Sequence, residues 1–122
     1  MNRHRFSHGT EQKLAALVQR VDRNIEECRR FEEMAAHLNN WAERWPTQAL
    51  IRRLESNNSS IEEGEEALVA LAIRATEEAG RAIAAYDPGE CEERHRIFWD
   101  IAQSHWQRRY EQRGARRSSG AA

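Results

Sequence analysis

The sequence predicts an all-α fold, an up-and-down bundle of three long helices with one short connecting helix. Three observations lead to this prediction. Only two prolines and six glycines occur in 122 residues, and charged residues make up 32% of the chain, which is typical of long exposed helices. Apolar residues recur every three or four positions over long stretches. The Pro-, Asn- and Ser-rich segments fall between these stretches, where the chain has to turn.

A chain of 122 residues has the usual length of one domain. We expect a flexible N-terminus over residues 1–9, which are mostly polar. A single helical-bundle domain follows over residues 10–113. The Arg/Ser/Gly/Ala-rich residues 114–122 have the composition of a disordered tail.

The first helix is predicted from Glu11 to Trp45, with Thr10 as its N-cap and Pro46 as the residue that stops it. Its apolar positions follow a seven-residue repeat, at Leu14, Val21, Cys28, Ala35 and Ala42 and again three residues later at Leu17, Asn24, Phe31, Leu38 and Trp45. Such heptads predict coiled-coil-like packing against neighbouring helices.

A short connecting helix is predicted over residues 47–55, and residues 56–60 (SNNSS) form the clearest loop. Ser60 followed by Glu63 matches a capping box for the next helix. This third helix is predicted over residues 61–86, and its Ala-rich face allows close approach of a neighbour.

The last helix is predicted over residues 91–113, after the Asp-Pro-Gly-Glu turn at residues 87–90. Short connections between the three long helices predict antiparallel packing. The net charge of -1 conceals a strong segregation of charge. Residues 61–93 hold ten acids against two arginines, whereas residues 94–122 hold seven arginines against two acids.

The sequence contains no motif that names a reaction, such as a phosphate-binding loop or a nucleophile elbow. Residues 62–66 (EEGEE) superficially resemble the E-E-x-x-E metal motif of all-helical nucleotide pyrophosphohydrolases, but the second E-x-x-D pair of those enzymes is absent. Glu92 and His95 form one Glu-x-x-His pair, where di-iron bundles use two. We therefore predict no catalytic residue, no metal site and no cofactor.

The last helix carries the strongest candidate for a binding surface. An aromatic edge lies beside its apolar face, and arginines lie next to that edge; the residues are Trp99, Trp106, Tyr110, Arg108, Arg109 and Arg113. Trp, Tyr and Arg are the residues most enriched at binding hot spots. The alternative is that the rings cover the first helix near Trp41 and Trp45.

These features predict a small non-enzymatic protein that binds another protein or a second copy of itself, as an inhibitor, adaptor or assembly factor. Because all basic residues but Lys13 are arginines, we expect a bacterial, phage or mobile-element origin. One alternative is a nucleic-acid-associated accessory protein that uses the Arg-rich C-terminal helix and tail. Another is a metal-dependent helical-bundle hydrolase or oxidase using Glu92, His95 and the acidic cluster.

No run of 18 apolar residues occurs, and the polar N-terminus lacks the apolar stretch of a signal peptide. We therefore expect a cytoplasmic protein that does not bind membranes. Cys28 and Cys91 form no Cys-x-x-Cys pair, and we interpret both as reduced thiols.

Overall fold

The computed structural model describes residues 8–42, 44–56, 58–89 and 92–121, and these residues form five α-helices without any β-strand. The helices are α1 (His8–Ala42), α2 (Thr47–Glu55), α3 (Ile61–Arg74), α4 (Glu77–Ala85) and α5 (Glu93–Ala121). The prediction of an all-α fold is confirmed. The arrangement differs from a bundle of three long helices, because the third predicted helix is divided in two.

The long N-terminal helix is present, with both ends shifted. α1 begins at His8, so the prediction that Thr10 caps it is wrong, because the residues just before Thr10 already have helical backbone. The helix ends at Ala42 rather than at Trp45. α2 starts directly after Pro46, which is its N-cap residue, and spans the predicted range.

The segment predicted as one helix over residues 61–86 is broken at Ala75 and Thr76. Ala75 ends α3 in the left-handed region with a φ of 51°, and its N–H donates to the carbonyl of Leu71 at 3.3 Å. Thr76 starts α4, and its side-chain oxygen accepts a hydrogen bond from the N–H of Ala79 at 3.1 Å. The prediction of a continuous helix is therefore wrong, because a threonine followed by two acids starts a helix at this point.

Because the chain turns back at this break, α1 and α5 run in the same direction. Arg23 pairs with Glu93 at one end of α1 and α5, and Phe31 stacks on His105 further along both helices, so α1 and α5 run parallel. The predicted antiparallel packing of the three long helices is therefore wrong for this pair. The short helices α2 and α4 return the chain between the longer ones, so each connection stays short.

α2 illustrates this return. At one end of α2 the guanidinium of Arg53 bonds to Glu63, near the start of α3, at 3.0 Å. At the other end Thr47 Oγ1 accepts from Arg74, the last residue of α3, at 2.9 Å. α2 and α3 are therefore antiparallel.

α3 is the central helix and packs against each of the other four. Residues 67–72 at its middle are fully buried, and three of these six residues are alanines, which let the neighbouring helices approach closely. The largest fully buried apolar side chains that the surrounding helices add to the core are Phe31, Leu50, Ile83 and Phe98.

The predicted capping box at the start of α3 is confirmed. The N–H of Glu63 donates to Oγ of Ser60 at 3.1 Å, and the N–H of Ser60 donates to Oε1 of Glu63 at 3.1 Å. In the turn after α4, Gly89 has a φ of 66° and its N–H donates to Oδ1 of Asp87 at 2.8 Å. A positive φ explains why a glycine stands there.

The ends of the last helix differ from the prediction. α5 begins at Glu93, two residues later than predicted, and continues to Ala121, past the predicted end at Arg113. Residues 114–121 have helical backbone, and the disorder predicted for residues 114–122 stays a prediction. Residues 1–7 of the predicted flexible N-terminus lie outside the described residues, and residues 8 and 9 belong to α1.

The first half of α1 extends past the rest of the bundle. α5 begins at Glu93, beside Arg23, and every side chain from residue 11 to residue 26 is exposed. We call residues 11–22 the arm. The predicted heptads therefore coincide with core packing in the second half of α1, where Phe31 is buried and Leu38 half-buried.

Candidate functional site

A buried polar cluster joins α3, α5 and the end of α4. Glu65 and His95 are only 3% and 2% exposed. Nδ1 of His95 lies 3.1 Å from Oε2 of Glu65, and the hydroxyl of Tyr86 lies 2.6 Å from Nε2 of His95. Because a carboxylate only accepts, the ring donates through Nδ1 and, when neutral, accepts from the tyrosine at Nε2. The three side chains thus form a Tyr–His–Glu chain of hydrogen bonds.

Arg30 connects this chain to α1. Its Nη1 and Nη2 donate to Oε1 and Oε2 of Glu65, each at 3.0 Å, in the bidentate geometry that makes such pairs strong. Its Nε donates to Oε1 of Glu27 at 2.7 Å. Glu27 is 2% exposed and also accepts from Nε of Arg94 at 3.3 Å. The negative charges of Glu27 and Glu65 are therefore balanced by the guanidinium groups of Arg30 and Arg94.

The contacts keep the central ion pair charged. Burial acts to raise the pKa of Glu65, but hydrogen bonds from His95 and Arg30 outweigh it and lower the pKa below the usual value. Burial acts to lower the pKa of Arg30, but the hydrogen bonds to Glu65 and Glu27 raise it above the usual value. Both groups are therefore ionised at neutral pH.

The polar groups of the cluster bond mainly to one another. A pocket of about 210 Å³ lies beside it and is bordered by Glu62 and Glu92. Both oxygens of Glu65 are engaged by Arg30, and both ring nitrogens of His95 have partners within the chain. Within the described residues, no three or more His, Cys, Asp or Glu side chains are placed to hold a metal ion. The cluster joins α1, α3 and α5 through hydrogen bonds and ion pairs.

The two tryptophans of the predicted aromatic edge pack on α4. Nε1 of Trp99 donates to the carbonyl of Ile83 at 2.8 Å, and Nε1 of Trp106 donates to the carbonyl of Thr76 at 2.7 Å. Both side chains are half-buried against the core. A Cβ on Gly80 would overlap the indole of Trp106, so the glycine makes room for the ring.

The rest of the predicted binding surface lies further along α5. Tyr110 stacks on Trp106 with ring centroids 4.8 Å apart and is 40% exposed. Arg108, Arg109 and Arg113 are exposed. Their contact with a partner, whether a protein or a nucleic acid, stays a prediction.

The arm and the turn of helix that follows it carry an exposed apolar surface. Among the described residues, five large aliphatic side chains on this part of α1 are between 43% and 59% exposed; they are Leu14, Leu17, Val18, Val21 and Ile25. We call these five residues the α1 stripe. They lie on one side of the helix, since successive members are three or four positions apart or adjacent.

Sequence reasoning missed the buried carboxylates and did not single out the α1 stripe as a binding surface. Glu65 lies in the acidic cluster of residues 62–66, for which no buried member was predicted, although it stands three residues before Leu68 and therefore on the apolar face of α3. That spacing was the available signal. The stripe residues Leu14, Leu17 and Val21 are heptad positions, and the heptads predict packing against neighbouring helices without showing whether these belong to the same chain or to a second one.

Among the described residues, none of the helices combines the length and apolar character needed to cross a membrane. No known protein family, characterised protein or solved structure is recognisably similar to this chain.

Proposed function

We propose that the protein acts by binding another protein chain through the α1 stripe and not by catalysing a reaction. The observation that carries the proposal is the exposure of five aliphatic side chains on one side of α1. A surface helix normally turns such a stripe toward a core. Contiguous exposed apolar surface on a folded protein is typical of an interaction site.

The energetics of the arm support the proposal. An isolated helix of this length is only marginally stable in water, because its hydrogen bonds barely offset the ordering of the chain. A partner that covered the stripe would stabilise the arm by about 1 kcal/mol for each half-exposed aliphatic side chain that becomes buried. The protein therefore gains helix stability and affinity from the same contacts.

The spacing of the stripe favours a helical partner. Leu14, Val18, Val21 and Ile25 are separated by four, three and four residues. This alternation is the pattern by which one helix packs its side chains between those of another. We call these four residues the seam. Leu17 lies beside the seam and would cover its edge.

The buried cluster supports binding in a different way. Arg30 and Glu27 follow the stripe on α1, and they join this part of the helix to Glu65 of α3 and Arg94 of α5. The arm is therefore the extension of a helix whose next turns are held in place. Because these turns already fix the point from which the helix extends, ordering the arm on binding costs less entropy than ordering a free segment would.

The proposal is tested by comparing captured proteins from a lysate of cells that produce this protein. The baits are the wild type, Val18→Glu/Ile25→Glu, and the control Ala16→Glu/Gln19→Glu, which adds the same charges on the opposite, exposed side of α1. We expect the wild type and the control to capture a common protein that the stripe variant loses. If all three baits capture the same proteins, the stripe is not the binding surface.

A further inference from the structure

The seam of the α1 stripe continues on both sides as a regular repeat. Alternating steps of four and three residues lead from Leu14 to Ile25, and the next step reaches Cys28, which is half-buried. The neighbouring seam positions are Glu11 at one end and Glu32 at the other, and both are exposed. The apolar part of the seam is therefore short and ends in an acid at each side.

The charges beside the seam are balanced. Three basic and three acidic side chains lie between residues 11 and 26, where every side chain is exposed; the basic residues are Lys13, Arg20 and Arg23, and the acidic residues are Glu11, Asp22 and Glu26. A segment without net charge does not repel its own copy, and it offers little attraction to a strongly charged partner such as nucleic acid.

The positions of Glu11 and Glu32 favour one relative orientation of two paired α1 helices. In a parallel pair, Glu11 and Glu32 would each face the same residue of the second copy across the seam, and like charges would meet at both ends. In an antiparallel pair, Leu14 faces Ile25 of the second copy and Val18 faces Val21 of the second copy. Glu11 then lies opposite Cys28 of the second copy, and no acid faces an acid across the seam.

The shape of the molecule is compatible with this orientation. The rest of the bundle begins near Arg23, where Glu93 contacts α1. Antiparallel arms place the two bundles toward opposite ends of the pair. The same surface is used by both copies, as a two-fold symmetric dimer requires.

We propose that the partner of the α1 stripe is the α1 stripe of a second copy of this chain, packed antiparallel to form a homodimer. The inference rests on the proposed function and names its partner. Four apolar layers form the seam: Leu14 with Ile25, Val18 with Val21, and the two symmetry-related layers. Leu17 lies at the edge of the seam, beside Asn24 of the second copy.

Light scattering behind size exclusion, at several protein concentrations, tests the self-association. We expect the wild type and the control Ala16→Glu/Gln19→Glu to reach twice the 14.2 kDa mass of one chain. Val18→Glu/Ile25→Glu should stay at the mass of one chain with unchanged far-UV circular dichroism at low concentration. A wild type that stays monomeric up to about 1 mM, a concentration at which even weak specific pairs associate, would overturn the inference, as would a dimer that the stripe variant retains.

The two proposals fail separately. A monomeric wild type that still captures a foreign protein through the stripe removes the homodimer and leaves the proposed function standing. A monomer whose captured proteins do not depend on the stripe removes both.

The orientation is tested by the distance between two spin labels. A nitroxide on Glu33→Cys, in a Cys28→Ala/Cys91→Ala background, lies on an exposed part of α1. At a rise of 1.5 Å per residue the antiparallel dimer separates the two labels by about 40 Å. A parallel pair keeps them about 20 Å apart, since paired helices lie 8–10 Å apart. The shorter distance would overturn the antiparallel arrangement.

Discussion

At the scale of single residues, Glu65 connects three helices. Its carboxylate accepts from Arg30 of α1 and from His95 of α5, while its own backbone belongs to α3. A carboxylate this deeply buried is stable only because its partners satisfy both oxygens. The cluster therefore determines how α1 and α5 sit on the central helix.

Replacing Glu65 by Gln is expected to lower the free energy of unfolding at pH 7 by on the order of 3 kcal/mol, because Arg30 then loses a charged partner in a partly buried place. The lowered pKa of Glu65 adds a pH dependence. The folded state gains stability from the ionised carboxylate above the usual pKa of 4.5, and this gain is lost as the pH falls through the lowered value of the folded protein. Urea unfolding between about pH 3 and pH 7 measures both effects.

The difference between wild type and Glu65→Gln should therefore shrink toward acid pH. Glu62→Gln is the matched control, because Glu62 is exposed on the same helix and its loss should change stability by about 0.5 kcal/mol or less. A stability difference for Glu65→Gln that is independent of pH would contradict the role given to its charge.

At the scale of elements, the sequence predicted what depends on local chemistry. The residue range of α2 and the capping box of Ser60 and Glu63 follow from residues close together in the chain, and both are confirmed. The break at Ala75 was missed, because a left-handed alanine costs about 1–2 kcal/mol and is rare. The contacts of α3 and α4 with the rest of the bundle offset that cost, and such contacts cannot be found from local sequence.

The packing of Trp106 on α4 gives a prediction at this scale. Gly80→Ala should destabilise the protein by about 1–3 kcal/mol, because the new methyl group overlaps the indole ring and forces it away from α4. The sign is opposite to the usual effect of this substitution inside a helix, where alanine is favoured by about 1 kcal/mol. Urea unfolding followed by tryptophan fluorescence measures the change.

Gly114→Ala is the matched control. Gly114 lies in α5, and a Cβ added there would have no neighbouring atom within 4 Å. The same substitution should therefore leave stability unchanged or raise it by up to about 1 kcal/mol. If both variants are equally stable, the close approach of Trp106 to Gly80 does not contribute to the packing of α4.

At the scale of the whole molecule, the direction of the helices and the exposure of the arm could not be predicted from the heptads. Leu14 and Leu17 follow the same repeat as Phe31 and Leu38, yet the first pair is exposed and the second is packed on the core. The difference arises because α5 begins only at Glu93, beside the middle of α1. Which half of a helix is covered depends on where its neighbours start, and that is a property of the assembled fold.

Hydrogen exchange of the α1 amides, measured at low and at high protein concentration, tests the central claim most directly. We expect slow exchange at residues 27–38 at both concentrations, because the core and the buried cluster hold this half of the helix. Residues 14–25 should exchange fast at low concentration and slowly at high concentration, when a second chain covers the α1 stripe. Protection of residues 14–25 that does not change with concentration would contradict this account.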